Sequence, residues 1–302
     1  MKRAIITGAT GAIGTALIKN LIDNNVEVLV ICHKNSIRLN VIPTSNLVTL
    51  KFCDLDEFNH LQNDTGKLFD VFYHFAWSGT FGEARNDMFA QNKNVECSLD
   101  AVALAKRFGC HTFIGAGSQA EYGRVEGILT QATPTFPENG YGMAKLCAGQ
   151  MTREYAHQLG LKHIWIRILS VYGPNDGSKT MVMSTINKLK KGEVAQFTKG
   201  EQMWDYLYSE DAAEAFRLFG EKGKDGKVYV LGKGEAYPLK DYIEIISELL
   251  GAQNLIELGA IPYSNKQVMH LCADISELKA DTGWQPKVSF KEGILNILNQ
   301  DR

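Results

Sequence analysis

The sequence predicts an α/β fold: a doubly wound parallel sheet with a smaller C-terminal lobe interleaved with it. Three observations carry this. Short apolar runs alternate with helix-period stretches through the first half of the chain. A glycine-rich turn joins the first apolar run to the first helix. After Gly173-Pro174 the alternation loosens and longer loops appear.

In order, the strand candidates are Arg3–Thr7, Glu27–Ile31, Leu47–Phe52, Val71–Phe75, Thr112–Gly115 and His163–Ile168. Their near-continuous apolar character suits strands covered on both faces. The helical stretches between them are Gly14–Asn24, Asn94–Phe108 and Tyr141–Leu159. Helical periodicity returns in Met181–Lys191, Leu239–Leu250 and Phe290–Asn299, and Lys227–Gly232 reads as a strand. The expected division is a sheet domain over 1–173, rejoined by 204–232, with 174–302 mainly forming the lobe. There are no internal repeats and no low-complexity segments.

The 302 residues, 45% hydrophobic and 22% charged, supply ample material for a core. A formal charge of -2 gives no electrostatic footprint for nucleic acid or an anionic membrane. No apolar run approaches the roughly 18–20 residues that span a bilayer. The chain opens on a strand, with no apolar leader. Six scattered cysteines, without a CxxC pair, read as reduced core thiols. A cytoplasmic protein is the expectation. The histidines show no metal-ligand spacing, so no metal is expected; His74 reads as a core or strand-end residue.

The turn Gly8-Ala9-Thr10-Gly11-Ala12-Ile13-Gly14 follows a strand and opens a helix. Glycine allows the tight turn and lets the main chain approach a pyrophosphate, which the helix N-terminus then holds by N–H groups and dipole. In this context the motif is a Rossmann-type dinucleotide site. Binders of NAD usually place an acidic residue at the end of the second strand. Here that strand runs into Cys32-His33-Lys34-Asn35-Ser36-Ile37-Arg38, with no carboxylate. Lys34, Ser36 and Arg38, beside His33, suit a 2′-phosphate by charge and hydrogen bonds. NADP(H) is therefore favoured, with NAD(H) the alternative; a solvated basic loop is the bland reading.

Tyr141 and Lys145 stand at i and i+4 and share a helix face. A phenol of pKa about 10 is a poor proton donor at neutral pH, and a nearby ammonium stabilises its ionised form. Ser118 lies in Gly115-Ala116-Gly117-Ser118-Gln119-Ala120-Glu121, a glycine-flanked exit from a strand. Ligands bind at the carboxyl ends of parallel strands. Ser118 is thus placed to hydrogen-bond a substrate oxygen. Trp77 and Ser78, after His74-Phe75-Ala76, are candidate substrate neighbours. Glu121 is unusual for such a loop, and a catalytic role is the sharper of its two readings.

These pieces resemble the extended short-chain dehydrogenases/reductases, the branch acting on nucleoside-diphosphate sugars. The matching segments are TGATGAIG, CDL, FYHFAWSG, NVECSLDAVALA, GAGSQAEYG, YGMAK, RILSVYGP, WDYLYSEDAAEAF and TGWQP, in family order from residue 7 to 286. The resemblance implies an enzyme with Ser118, Tyr141 and Lys145 catalytic. It implies that Asp54, with Leu55, contacts the adenine and that Ala76 lies along the cofactor. Asn94 would support the lysine, and Leu169 would pass near the nicotinamide. It also implies a homodimer. Many relatives carry Arg-Asp where this chain has Trp204-Asp205, which puts the usual phosphate contact in doubt; Lys199 is a candidate substitute.

Two segments, GSQAEYG and WDYLY, resemble 4-ketoreductases of deoxysugar pathways. The expected reaction is NADPH-dependent reduction of a 4-keto nucleoside-diphosphate sugar, Tyr141 giving the proton. The rival is a 4-epimerase with retained NAD. Relatives that are 4,6-dehydratases commonly place Asp-Glu after the serine, where this chain has Gln119-Ala120. From another class, a non-catalytic NADP(H)-binding regulator would typically have lost the Tyr or the Lys.

Overall fold

The computed structural model describes residues 1–300. Its central sheet uses β1 (Arg3–Thr7), β2 (Glu27–Cys32), β3 (Val48–Phe52), β4 (Val71–His74), β5 (Thr112–Ser118), β6 (Lys162–Ile168) and β11 (Val228–Leu231). All seven are parallel, in the order β11-β6-β5-β4-β1-β2-β3. The order reverses at β1, between β4 and β2, which opens a crevice at the strands' carboxyl ends. The α/β, doubly wound expectation is met.

Helices α1 (Ala12–Asp23) and α5 (Ser209–Lys222) cover one face, with Leu17, Ile18 and Leu21 in one core with Phe216 and Phe219. Helices α2 (Met88–Arg107) and α3 (Gly140–Gln158) cover the other. Helix α2 begins at Met88, earlier than the expected Asn94, because Asp87 caps it: its carboxylate accepts from Ala90 N at 3.1 Å. Asn139 caps α3 in the same way, accepting from Gly142 N at 2.9 Å. Helix α5 was not anticipated as a separate element.

The lobe contains β7 (Ser170–Tyr172), α4 (Met181–Lys190), β8 (Ala195–Gln196), β9 (Met203–Trp204), β10 (Tyr206–Tyr208), β12 (Tyr237–Pro238), α6 (Leu239–Leu250), β13 (Ile256–Glu257) and α8 (Phe290–Gln300). Its core gathers Tyr172, Ile186, Tyr206, Tyr242, Ile243 and Phe290. The chain returns to the sheet through α5 and β11, and helix α7 (Ser276–Thr282) packs against both. Two buried aspartates fasten the crossings. Asp205 accepts from the backbone N–H groups of Lys233, Gly234 and Ala273 at 2.6, 3.0 and 3.1 Å. Asp211 accepts from those of Lys287 and Val288 at 3.0 and 2.9 Å, while the Trp284 indole donates to the Asp211 carbonyl at 3.0 Å. The WDYLYSED and TGWQP segments are thus bound to one another. No helix among the described residues is long and apolar enough to cross a membrane.

His74, at the end of β4, anchors the crevice. Ser98 Oγ donates to the Asn94 carbonyl at 2.8 Å, so its lone pair receives His74 Nε2–H at 3.3 Å. His74 Nδ1 then accepts from Thr7 Oγ1 at 2.9 Å, and Thr7 Oγ1 accepts from Ala76 N at 3.3 Å. The ring is neutral in this chain of bonds, and burial holds its pKa down to about 3. Burial also holds His163 down to about 3. Unfolded histidines titrate near 6.5, so only the unfolded chain binds these protons between the two values. Stability therefore falls as pH drops through about 6.5, by about 1.4 kcal/mol per pH unit for each histidine. A His163→Gln protein is expected to lose less stability than wild type between about pH 7 and about pH 5, read from urea midpoints. Equal losses would contradict the assignment.

Candidate active site

The carboxyl ends of the strands border one continuous cleft. Its first stretch, about 840 Å³, runs from His33, Ser36, Arg38 and Asp54 past Gly8–Gly11 to Ala76 and Trp77. A second stretch, about 290 Å³, passes Gly14, Ser118, Tyr141 and Lys145. A third, about 490 Å³, opens between Tyr141 and the lobe residues Met181, Trp204 and Tyr206.

The glycines divide the work at the first junction. Gly8 has φ +69°, and a Cβ there would sit 2.6 Å from Ala76 N. A Cβ on Gly14 would sit 2.7 Å from the Gly8 carbonyl oxygen. These two let strand, turn and helix close up. Gly11 differs: it lines the cleft, and its nearest obstacle to a Cβ is 3.9 Å away. Bare backbone at the start of α1 fits a pyrophosphate.

Ser118 is the last residue of β5. Its N–H donates to Glu121 Oε1 at 2.8 Å, and its hydroxyl accepts from Ala120 N at 3.2 Å. Tyr141 and Lys145 face it from the first turns of α3. Lys145 is 4% exposed. Its ammonium donates to the Ala116 carbonyl at 2.6 Å and lies 3.7 Å from the centre of the Trp77 ring. Burial pulls the Lys145 pKa down to about 7, against the pull of the Glu121 carboxylate. Desolvation pushes the Tyr141 phenol up, while the Ser118 hydroxyl and the Arg85 guanidinium oppose it. Trp77 stands edge-on to Tyr141 at 6.1 Å and is fixed by its indole N–H donating to Gln91 Oε1 at 2.9 Å.

Most sequence-derived candidates border this cleft, including Thr10, Ala12, Ile13, Leu55, Ala76, Ser78 and Leu169. Asn94 also borders it, but its amide clamps Ser78, donating to the carbonyl and accepting from the N–H, both at 2.9 Å. Asp54 accepts from Lys34 N at 2.9 Å and caps the 3-10 turn Leu55–Glu57. Lys34 itself is drawn to Glu57 at 2.5 Å and is not among the residues lining the cleft. Arg38 remains at the rim and reaches across to the Asn175 carbonyl at 2.6 Å.

Gln119 is half-buried in the 3-10 turn after Ser118 and does not line the cleft. Lys199 is exposed, near Gly259, and does not line it either. Trp204 does, with its indole donating to Ser170 Oγ at 2.8 Å. Glu121 is fully buried and holds Trp165 and Arg167, at 3.0 and 2.8 Å, besides Ser118. Arg85, Phe81 and Asp176 join the site without having been singled out; Arg85 sits in the short 3-10 turn Gly82–Asn86, and Phe81 and Asp176 on loops, none with a periodic signal. Among the described residues, no group of three His, Cys, Asp or Glu could hold a metal ion.

The NAD dependent epimerase/dehydratase family matches residues 4–232. CDP-abequose synthase of Salmonella typhimurium is 24% identical, covering 98% of this chain and 97% of that protein. A putative UDP-glucose 4-epimerase of Methanocaldococcus jannaschii is 23% identical, covering 98% and 97%. Among solved structures, the UDP-glucose 4-epimerase of Thermotoga maritima, crystallised with UDP-glucose, superposes with a TM-score of 0.88 at 22% identity, covering 99% and 98%. DesIV, a dTDP-glucose 4,6-dehydratase from Streptomyces venezuelae with NAD bound, gives 0.87 at 19% identity, covering 98% and 96%. At these identities the superpositions establish the shared fold.

Proposed function

Because this chain belongs to the NAD dependent epimerase/dehydratase family, a family of nicotinamide-dependent enzymes, we propose that it reduces the 4-keto group of a nucleoside-diphosphate deoxysugar with NADPH. The observation that carries this is the convergence of Ser118, Tyr141 and Lys145 where the cleft's cofactor stretch opens toward the lobe. When bound, the nicotinamide supplies the hydride. Ser118 Oγ orients the carbonyl oxygen by a hydrogen bond. Tyr141 gives its phenolic proton to that oxygen as it becomes a hydroxyl. Lys145 favours the phenolate left behind and holds the cofactor's ribose. Whole-chain likeness to CDP-abequose synthase is in keeping with this reading.

The preference for NADPH rests on the segment after β2, which brings Ser36 and Arg38 to the rim and has no carboxylate of its own. Since Glu57 takes Lys34, Arg38 is the principal cation for a 2′-phosphate. An Arg38→Ala enzyme is expected to lose about tenfold in its NADPH over NADH preference, the worth of one charge-assisted hydrogen bond. Lys34→Ala leaves the ratio unchanged. Steady-state kinetics with both cofactors check this.

A 4-epimerase with retained NAD is the second reading. The Arg38–Asn175 contact favours it, because it ties the cofactor rim to the lobe's loop between β7 and α4, which would hold a cofactor in place. Dehydration is disfavoured, since buried Ala120 and Gln119 offer no acid/base pair. Assaying 4-keto and 4-hydroxy nucleotide sugars with NADPH and NAD⁺, and denaturing the purified protein to release cofactor, separates the readings. Stoichiometric NAD⁺ on denaturation overturns the reductase.

The same reading takes the enzyme as a cytoplasmic homodimer. Six free cysteines suit a reducing compartment. Exposed Met88, Phe89, Met143 and Met151 on α2 and α3 offer apolar surface to a second copy.

A further inference from the structure

The Tyr141 ring has two cations near it, and the lysine is the farther one. Lys145 Nζ is 5.8 Å from the ring centre, and its hydrogen bond goes to the Ala116 carbonyl. Arg85 Cζ is 4.3 Å from the same centre, over the ring face. Arg85 has no carboxylate partner among the described residues; its guanidinium donates to the Thr80 carbonyl at 3.2 Å.

The loop that brings Arg85 there is fastened to the start of α3. Asn86 Oδ1 accepts from Gly140 N at 3.2 Å. Gln91 Nε2 donates to the carbonyls of Gly79 and Ala84 at 2.8 and 2.9 Å. Gly140 has no room for a side chain, since a Cβ would sit 2.9 Å from Met88 Sδ and 3.0 Å from the Arg85 carbonyl oxygen. Ser118, from the end of β5, and Glu121, from the 3-10 turn after it, also act on Tyr141, and Thr80, Ser170, Asp176 and Thr180 line the cleft with it.

We propose that Arg85 is a positioning residue for Tyr141: it holds the ring by a cation–π contact and favours the ionised phenol from the ring face, a part that the sequence pattern gives to Lys145 alone. The attraction of a guanidinium for a ring grows when the ring carries a full negative charge. Desolvation, which pushes the phenol up, is thereby opposed by both Ser118 and Arg85. This rests on the reading of Tyr141 as the proton carrier, but its test does not need the sugar substrate.

The test is the ultraviolet titration of tyrosinate, taken as the difference between each protein and its Tyr141→Phe counterpart, in wild-type and Arg85→Met backgrounds. Circular dichroism and melting temperature establish that each variant is folded. Arg85→Met is expected to raise the Tyr141 ionisation by about one pH unit, as loss of a screened neighbouring charge does. Arg85→Lys, with a cation but no planar face, is expected to give a smaller rise, and it is the decisive variant if Arg85→Met does not fold. An unmoved titration in a folded variant overturns the proposal. So does a raised KM for substrate with an unmoved pH profile, which would make Arg85 a substrate contact. No turnover by the wild-type protein on any sugar nucleotide, with the titration shifted as expected in the variants, would refute the substrate assignment and leave this role standing.

Discussion

Tyr141→Phe is expected to lower turnover by about 10²- to 10⁴-fold, the usual worth of one positioned proton donor. The variant keeps the ring, and with it the edge-on contact to Trp77 and the face under Arg85. It removes only the hydroxyl. Folding and cofactor binding should therefore survive, and the melting temperature should move little. The loss should appear in kcat, because the proton moves only as the reaction proceeds. Lys145→Met should cost a similar factor, since the ammonium favours the phenolate that proton transfer leaves. As the two act as a unit, the double variant should be little worse than either single one. Single-turnover rates with a 4-keto nucleotide sugar measure all three. A Tyr141→Phe enzyme within tenfold of wild type would place the proton elsewhere.

What the sequence could reveal followed from how each element is stabilised. The central strands were legible because a parallel sheet buried on both faces needs unbroken apolar runs such as Ala4-Ile5-Ile6 and Val28-Leu29-Val30, all buried here. The start of α2 was not, because its first turn around Phe89 is exposed and carries no core-facing period; only the Asp87 cap marks it. Two-residue strands such as β8 and β13 are too short to show any alternation.

At the site, Tyr141 and Lys145 were legible as a pair because i and i+4 share a helix face; Ser118 was read in a glycine-flanked strand exit, and β5 in fact runs on to include it. The rim was only half readable. Lys34 and Arg38 look alike in the sequence, and what separates them is Glu57, which captures one of the two across 23 positions of chain. Arg85 gave no signal, since its contact with Tyr141 depends on where a loop docks on α3. The WDYLYSED and TGWQP segments were legible as motifs, but their job in the fold, carboxylates holding backbone amides, needed coordinates.

Glu121→Ala is expected to be the most destabilising single change near the site, by about 3–5 kcal/mol. The carboxylate is 1% exposed and the Arg167 side chain 9% exposed, so the pair is shielded from solvent and little screened. Removing it leaves a buried guanidinium whose remaining contacts are the Tyr122 ring at 4.6 Å and the Gln131 carbonyl at 3.5 Å. It also strands the Trp165 indole N–H and the Ser118 N–H, each worth about 1–3 kcal/mol when left unpaired in a buried place. These losses overlap and do not sum. The two roles open to Glu121 predict opposite patterns. An acid/base catalyst changed to Gln would keep its stability and lose turnover. A buried anchor changed to Gln would lose stability, because the charge opposite Arg167 is gone, and its folded fraction would keep turnover within about tenfold. The hydrogen bonds favour the second pattern: one carboxylate oxygen is shared by Ser118 N and Trp165 Nε1, and the other is held by Arg167. Urea unfolding of Glu121→Gln, with turnover measured on the same preparation, distinguishes them. Replacing Glu121 and Arg167 together by Met should recover part of the loss, because no unpaired charge then remains inside.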